Sequence, residues 1–410
     1  MIDLSVNLAG LELKNPLIVA SSDNTRDVRQ VKQAEACGAG AVVLKGALPP
    51  GRIGLQSTLR LYPDYKTGAM HGHAGAKRVS FDQALEVVKA AKKETTVKIG
   101  VNTAMQSYDD LETATDFCRR AVQAGADFIE IHFSPQIPVH SMVNQTEEEY
   151  QQQRGKESQR AGIAIRELPN WVTACVKSIK GAVDVPMIAK INAEGINIVG
   201  VSKVAEEAGV DILNPGAPGC GTIQMDIYHG GSLIMPGART ACLHTVGSPW
   251  KPYAEGIVAR VAQAVRVPVI GGGGLMNWRD AVEMFMLGAG AVSFCTLLMM
   301  YGYEALTRVR RGLVKFMEDQ GYERIDDFRG LALKSVAPSF PDCDIVPSVA
   351  VVDAEKCTGC GRCLKLAACL AITLENGIAV VNGPECLGCG ICTLVCPTEA
   401  LSMVETAPSR

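Results

Sequence analysis

The sequence of 410 residues is poor in aromatic side chains, at 5%, and carries a formal net charge of only −3. A near-neutral chain lacks the broad basic surface that nucleic-acid binding requires, so a nucleic-acid partner is excluded. The uncharged stretch 285–301 is broken by Gly288 and Gly290, which argues against a membrane-spanning helix.

The amino terminus also lacks the basic residues and apolar core of a secretory signal. We therefore expect a soluble, cytoplasmic protein. Because 47% of the residues are hydrophobic, the chain can bury a large core, and its 41 glycines favour a fold with many tight turns.

The cysteines divide the chain. Eight of the fifteen lie between residues 357 and 396, and in a reducing compartment such a cluster indicates metal ligands rather than disulfides. Pro338 and Pro341 end the preceding helical pattern. We therefore predict a body over residues 1–337 and a cysteine-rich domain over residues 338–410.

A repeated pattern in the body predicts its fold. Gly38, Gly125, Gly209 and Gly288 each end a helical pattern before a short apolar strand, at intervals of 87, 84 and 79 residues. Each interval has room for two βα units of roughly 30 residues or more, which implies eight strands. The other four predicted strands cover residues 15–20, 97–101, 186–191 and 267–271.

This pattern predicts a (β/α)8 TIM barrel, with an open doubly wound sheet as the alternative. Residues 2–13 predict a hairpin that closes the lower end of the barrel. In such barrels the chemistry lies at the carboxyl ends of the strands.

Two glycine-rich and hydroxyl-bearing loops lie at those ends. Residues 271–274 are four consecutive glycines before a helix, and the eighth strand ends in Cys295 and Thr296. Loops seven and eight form the usual phosphate site of these barrels. A glycine run can also be a simple turn, but this position favours the phosphate site.

Lys45 and Lys190 each end a predicted strand. They either extend into solvent or form a pair of cations beside a bound anion or an electron-rich ring. Two lysines on the same rim favour the second interpretation modestly.

The cysteine-rich domain contains Cys-x2-Cys-x2-Cys-x5-Cys followed by Cys-x2-Cys-x2-Cys-x3-Cys-Pro. The second run matches the bacterial ferredoxin pattern, in which the fourth cysteine binds the other cluster. We therefore predict two [4Fe–4S] clusters, and zinc sites do not normally come as two such triplets. The first predicted ligand set is Cys357, Cys360, Cys363 and Cys396, and the second is Cys386, Cys389, Cys392 and Cys369.

One irregularity is that Cys369 follows five residues rather than three and precedes Leu370 instead of proline. Two clusters in tandem need a redox centre that exchanges both one and two electrons, and a flavin does so. Its phosphate would suit the glycine loop, whereas a phosphosugar enzyme on the same barrel has no use for a ferredoxin.

At this point the chain resembles the dihydroorotate dehydrogenase superfamily, and within it the dihydropyrimidine dehydrogenase type, over essentially its whole length. The supporting residues are Asn15, Pro16, Lys45, residues 124–127, 186–190, 272–274 and 301–303, and the eight clustered cysteines. The resemblance implies FMN as the cofactor. The implied FMN-binding residues are Ala20, Ser21, Lys45, Asn102, Lys190, Asn214, Gly272, Gly273, Gly274, Cys295 and Thr296.

The sequence departs from this family after the fourth strand. The family has Asn-Phe-Ser-Cys-Pro there, with a cysteine that exchanges a proton with substrate, whereas residues 132–136 read His-Phe-Ser-Pro-Gln. The candidate catalytic residues are therefore His132 first, His140 second and Cys220 third, with Ser134 in the same loop as His140.

The expected chemistry is oxidation or reduction of an activated C–C bond in a dihydropyrimidine-like or other conjugated carbonyl substrate. A non-catalytic electron-transfer subunit and a phosphosugar barrel fused to a ferredoxin are the alternatives. No Gly-x-Gly-x-x-Gly fingerprint follows a strand, so we expect a separate FAD- and NAD(P)-binding subunit, or a ferredoxin, as the electron partner. A homo- or hetero-oligomer is expected.

Overall fold

The computed structural model describes residues 2–49, 61–73, 78–103, 111–133, 167–193, 195–217, 224–234, 243–338, 340–344 and 346–406. The chain divides into two compact units, Met1–Val336 and Ala337–Arg410. No helix within the described ranges is long and apolar enough to cross a membrane.

The strands are β1 Val6–Leu8, β2 Leu11–Leu13, β3 Leu17–Val19, β4 Ala41–Val43, β5 Ala47–Leu48, β6 Leu61–Asp64, β7 Ala69–His73, β8 Val79–Ser80, β9 Lys98–Thr103, β10 Phe128–Phe133, β11 Met187–Asn192, β12 Ile212–Ala217, β13 Met225–Asp226, β14 Ser232–Leu233, β15 Leu243–Gly247, β16 Ile270–Gly272, β17 Ala291–Phe294, β18 Ser348–Val352, β19 Ile372–Glu375, β20 Ile378–Val381 and β21 Leu401–Glu405. The helices are α1 Val28–Ala36, α2 Phe81–Glu94, α3 Leu111–Gln123, α4 Leu168–Lys180, α5 Ile198–Ala208, α6 Lys251–Ala264, α7 Trp278–Met286, α8 Thr296–Tyr301, α9 Glu304–Gln320 and α10 Ile391–Val395.

The first unit is a parallel barrel of eight strands. Their order is β12-β11-β10-β9-β4-β3-β17-β16, and a parallel bridge between Leu213 and Val269 joins the two ends. The predicted TIM barrel is thus confirmed and the open sheet was wrong. The even spacing of the helix-ending glycines predicted this closure, because each interval holds two βα units.

The barrel strands alternate between an inward and an outward face. In β10, Ile129, Ile131 and Phe133 pack with the surrounding helices, whereas Phe128 lies in the apolar cluster inside the barrel. That inner cluster consists of Ile18, Ala41, Val43, Phe128, Ile188, Ile212, Ile270, Ala291 and three leucines of the amino-terminal hairpin.

The hairpin predicted for residues 2–13 is formed by β1 and β2. Its turn residues Ala9 and Gly10 have φ angles of 49° and 90°. Leu8, Leu11 and Leu13 are buried against the inner cluster, so the hairpin closes the amino-terminal end of the barrel.

Loops at the opposite end form a second small sheet. Strands β6 and β7 follow β5, β15 precedes α6, and the three pair antiparallel in the order β15-β7-β6. Since these segments follow the carboxyl ends of β4 and β12, the sheet belongs to the end of the barrel where ligands bind.

The second unit is built on two antiparallel pairs, β18 with β21 and β19 with β20. Its small core contains the cysteines Cys363 and Cys392 together with Ala350, Ile372, Ala379 and Leu401. Such a small apolar core needs cross-links or metal centres to be stable.

Candidate active site at the barrel mouth and candidate cluster sites

A ring of polar residues lies immediately above the inner apolar cluster. Each member is two residues beyond an inward-facing apolar or glycine position and therefore shares its face. The ring comprises Lys45, Asn102, Glu130, Lys190, Asn214 and Ser293. The predicted residues Lys45, Asn102, Lys190 and Asn214 are thus brought to one end of the barrel.

Glu130 links three members of this ring. It is 2% exposed; Asn102 Nδ2 donates to its Oε1 at 2.7 Å, and Asn214 Nδ2 donates to its Oε2 at 3.2 Å. Lys190 Nζ lies 4.0 Å from Oε1. The carboxylate therefore partly neutralises one predicted cation and fixes two predicted amides.

Lys45 forms a second buried ion pair. Its Nζ lies 2.8 Å from Asp23 Oδ2, and its side chain is 4% exposed. Burial lowers the pKa of Lys45, while Asp23 opposes this effect. The nearby Arg78 is half-buried, and burial also lowers its pKa.

The space beside Gly46 is lined by groups that suit a polar ring ligand. A Cβ at Gly46 would lie 2.5 Å from Arg78 Nη1 and 2.7 Å from Asn102 Oδ1. Asn102 Oδ1 is buried and makes no hydrogen bond within the described parts of the chain. A buried acceptor near an arginine fits the carbonyl- and N–H-bearing edge of a flavin.

The glycine loop lies where the sequence predicts a phosphate. Gly273 and Gly274 have φ angles of +95° and +92°, and a Cβ on either would lie within 2.5 Å of a carbonyl oxygen, of Gly216 and Gly247 respectively. In the described ranges their amides donate to no protein acceptor. These free donors fit an anionic ligand group.

Cys295 precedes α8 and Thr296 begins it; Thr296 is buried. Burial raises the pKa of the Cys295 thiol, and Lys190, Ser22 and Lys45 act against that rise. These interactions place Cys295 beside both predicted lysines.

Of the remaining predicted site residues, three lie in the described ranges and three do not. Ala20 is buried at the end of β3, where its N–H donates to Phe294 O, and Ser21 follows it. His132 is half-buried, pairs in register with Lys190, and shares the inward face of Phe128 and Glu130. Ser134, His140 and Cys220 lie outside the described residues.

The cysteine-rich unit brings its eight thiols together in two groups. One cavity is lined by Cys357, Cys360, Cys363 and Cys396. The other is lined by Cys369, Cys386, Cys389 and Cys392. Each cavity is thus lined by the four cysteines of one predicted set, and the fourth cysteine of each run lines the cavity of the other run.

The two cysteine loops share one backbone conformation. Gly359 and Gly388 have φ angles of +66° and +69°, and Gly361 and Gly390 have +68° and +72°. A Cβ at Gly359 would lie 2.2 Å from Gly377 O. Glycine is therefore required where the chain turns tightly around each group of thiols.

The thiols surround a shared space instead of a single point. Among the described residues no three His, Cys, Asp or Glu side chains converge as ligands of one metal ion would. Burial is the main cause that raises the pKa of Cys363, and the other three thiols of its set raise it further. The same two causes raise the pKa of Cys392. Backbone N–H groups of Ala379, Ala350 and Ala400 donate to Cys357, Cys386 and Cys396, as suits cluster-binding thiolates.

Both units match known families. Residues 3–317 match the dihydroorotate dehydrogenase family. The chain belongs to this family. Residues 350–400 match the 4Fe-4S dicluster domain. This dihydroorotate dehydrogenase family member is therefore a flavin- and iron–sulfur-dependent oxidoreductase.

Two relatives of the dihydroorotate dehydrogenase family member carry different substrate names. The dihydroorotate dehydrogenase B (NAD(+)) catalytic subunit of Thermococcus kodakarensis is 28% identical over 338 residues, 81% of this chain and 98% of the relative. The NAD-dependent dihydropyrimidine dehydrogenase subunit PreA of Escherichia coli is 24% identical over 380 residues, 88% of this chain and 84% of the relative. Similarity alone therefore does not decide the substrate.

Sequence reasoning missed four polar residues of this dihydroorotate dehydrogenase family member: Asp23, His71, Arg78 and Glu130. His71 is buried in β7 with Nδ1 3.0 Å from Thr245 Oγ1, and burial lowers its pKa. Glu130 could have been found by counting two residues beyond Phe128. No comparable sequence signal marks Asp23 or Arg78, which loops bring near Lys45, or His71, which lies in the β15-β7-β6 sheet.

Proposed function

We propose that this protein oxidises or reduces an activated C–C bond of a dihydropyrimidine-like or other conjugated carbonyl substrate. The observation that carries the proposal is the polar ring at the barrel mouth, in which Lys45 and two asparagines are buried and Lys190 is half-buried. Beside it lies a glycine loop in which the amides of Gly273 and Gly274 donate to no backbone acceptor within the described residues. One FMN and two [4Fe–4S] clusters are the proposed cofactors.

The residues proposed to hold FMN divide by the part they contact. Gly272, Gly273, Gly274, Cys295 and Thr296 would bind the phosphate, while Lys45, Asn102, Lys190 and Asn214 would bind the ring. Ala20 and Ser21 would line the cofactor. When bound, FMN supplies hydride chemistry and the clusters carry single electrons.

The chain's own residues would orient the substrate and exchange a proton. Lys190 and Lys45 would stabilise negative charge at the mouth, because Lys45 is buried and Lys190 half-buried there, each near one carboxylate. His132 is the proposed proton donor or acceptor, since its ordinary pKa of about 6.5 suits exchange near neutrality. Its register position beside Lys190 supports this role.

We further propose a separate electron partner that binds NAD(P) or is itself a ferredoxin. Both relatives described above are named as NAD-linked subunits, which is compatible with this arrangement. We also propose a homo- or hetero-oligomer and a cytoplasmic location, as expected from the sequence.

Anaerobically purified protein tests the proposal through its flavin and iron content and through a substrate screen. We expect FMN and about eight iron atoms per chain. If the enzyme oxidises its substrate, a dihydropyrimidine should bleach the flavin. If it reduces its substrate, an enone should re-oxidise flavin that a chemical reductant has bleached. Zinc in place of iron, or absence of FMN, would contradict the cofactors. Flavin that responds to an electron partner but to no screened substrate would favour the electron-transfer subunit.

A further inference from the structure

We propose that Glu130 is a positioning residue that holds the side-chain amides of Asn102 and Asn214 in one fixed orientation toward the bound cofactor. The inference rests on the proposed function, because it concerns how these two asparagines meet FMN. Glu130 itself would touch neither FMN nor substrate in this role.

The geometry assigns one asparagine to each carboxylate oxygen. Asn102 Nδ2 donates to Oε1 at 2.7 Å and Asn214 Nδ2 donates to Oε2 at 3.2 Å. The donors come from β9 and β12, on either side of the β10–β11 pair. Glu130 therefore bridges residues from strands that do not pair with each other.

This arrangement selects which end of each amide faces the ligand. The oxygen and nitrogen of an asparagine amide exchange places on a half-turn, so shape alone does not fix them. An ionised carboxylate only accepts hydrogen bonds, so it must face the two NH2 groups. The Asn102 carbonyl then points away from Glu130, toward Gly46, where it lacks a protein donor within the described residues.

Burying Glu130 is costly in the absence of such a role. Phe128, two residues earlier on the same face, belongs to the inner apolar cluster, and Glu130 is 2% exposed. The groups that face the carboxylate are Asn102, Lys190 and Asn214. A buried carboxylate often stabilises a fold no better than an apolar side chain of similar size, so its value would lie in orienting the site.

The test is Glu130→Gln in the full-length protein. Glutamine has nearly the same shape but offers one acceptor and one NH2 group, so it can hold only one of the two asparagines as Glu130 does. We expect FMN to bind the apoprotein about tenfold or more weakly, with a shifted visible spectrum and midpoint potential of the bound flavin.

Two comparisons separate positioning from general stability. Glu35→Gln is the matched control, because Glu35 Oε1 accepts hydrogen bonds from the backbone N–H groups of Thr96 and Val97, which precede the amino end of β9, whereas the polar ring lies at the carboxyl ends of the strands. It should lower the melting temperature and leave the flavin unchanged. In an Asn102→Ala background, Glu130→Gln should have a smaller effect on FMN affinity, because the two residues act together.

If Glu130→Gln does not fold, Glu130→Asp keeps the charge and shortens the side chain, and the same flavin measurements apply. Wild-type affinity, spectrum and potential in a folded Glu130 variant would overturn the positioning role even if the melting temperature fell. The proposed function would survive that result. Wild-type protein that binds no FMN would instead overturn both.

Discussion

Lys45 shows how the barrel mouth accommodates a buried cation. Its ammonium lies 2.8 Å from Asp23 and its side chain is 4% exposed. Burial lowers the pKa of Lys45 below its ordinary 10.5, and the Asp23 carboxylate limits the fall. Because the unfolded chain binds this proton more tightly, the contribution of Lys45 makes the folded state more stable as the pH rises toward 10.5.

Asp23→Asn should therefore destabilise the protein by about 3 kcal/mol near neutral pH, because it leaves a buried ammonium without its carboxylate. The pKa of Lys45 should fall further, so part of the loss should be recovered as the pH rises. Chemical denaturation at neutral and alkaline pH measures both effects.

Arg26→Gln is the control for this ion pair. Arg26 Nη1 lies 3.8 Å from Asp23 Oδ1, and the arginine side chain is 49% exposed. Removal of the Arg26 charge should lower the free energy of unfolding by less than about 0.5 kcal/mol. Two results would show that Asp23 does not stabilise the buried Lys45 ammonium. One is an Asp23→Asn variant that is as stable as this control, and the other is a loss in its free energy of unfolding that is the same at every pH.

His132 is where the sequence departs from the family pattern, and its role is open to a direct test. His132→Ala should slow flavin reduction by substrate about a hundredfold or more and remove the part of the pH dependence of that rate that an ionising imidazole causes. The measurement is the anaerobic reduction rate across pH.

His132→Asn distinguishes proton exchange from simple hydrogen bonding. Asparagine retains donors and an acceptor but does not titrate in this range. If His132 exchanges the proton, flavin reduction should therefore be as slow in His132→Asn as in His132→Ala. Full activity of the asparagine variant would mean that the proton donor or acceptor is another residue.

At the level of elements, the loop after β16 depends on glycine for two reasons. Gly274 has a φ of +92°, and an added Cβ would lie 2.5 Å from Gly247 O and 2.7 Å from Lys251 N. Gly274→Ala should therefore destabilise the fold by at least about 1 kcal/mol and weaken FMN binding, as measured by thermal melting and flavin titration.

Gly256→Ala is the matched control, because Gly256 lies in α6 and no atom lies within 4 Å of an added Cβ. It should stabilise the protein by up to about 1 kcal/mol, since alanine favours helix more than glycine does. Equal changes in stability and in FMN affinity for the two variants would contradict the requirement for glycine at position 274.

Most of the barrel could be predicted from the sequence because its strands are short apolar runs after helix-ending glycines. The predicted strand 97–101 overlaps Lys98–Thr103, and the predicted strand 186–191 overlaps Met187–Asn192. The polar ring was only partly predicted. Lysines and asparagines at strand ends were recognisable, whereas Glu130 was hidden inside an apolar strand.

The loop residues of the site could not be predicted in the same way. Asp23 lies in a short helical turn after β3, and Arg78 precedes β8. Their approach to Lys45 depends on how those loops fold back over the barrel, which hydrophobic periodicity does not encode. In the cysteine-rich unit, local spacing was sufficient to predict which thiols lie together, because cysteines of the ferredoxin type follow a fixed pattern.

At the level of the whole molecule, two units with separate cores each contribute one part of the proposed chemistry. Cys396 follows the second cysteine triplet in sequence but lines the cavity of the first set, with Cys357, Cys360 and Cys363. Its pKa is lowered: burial opposes this, but backbone hydrogen bonds from Thr398 and Ala400 favour the thiolate. The two proposed clusters are therefore linked through the chain.

Cys396→Ala should remove one proposed cluster and leave the other, so that iron falls from about eight to about four atoms per chain. FMN should remain bound, because its proposed ligands all belong to the first unit. Cys343→Ser is the control, since Cys343 is exposed and belongs to neither ligand set. Unchanged iron in Cys396→Ala would contradict the exchange of the fourth ligand, and loss of FMN together with iron would contradict the independence of the two units.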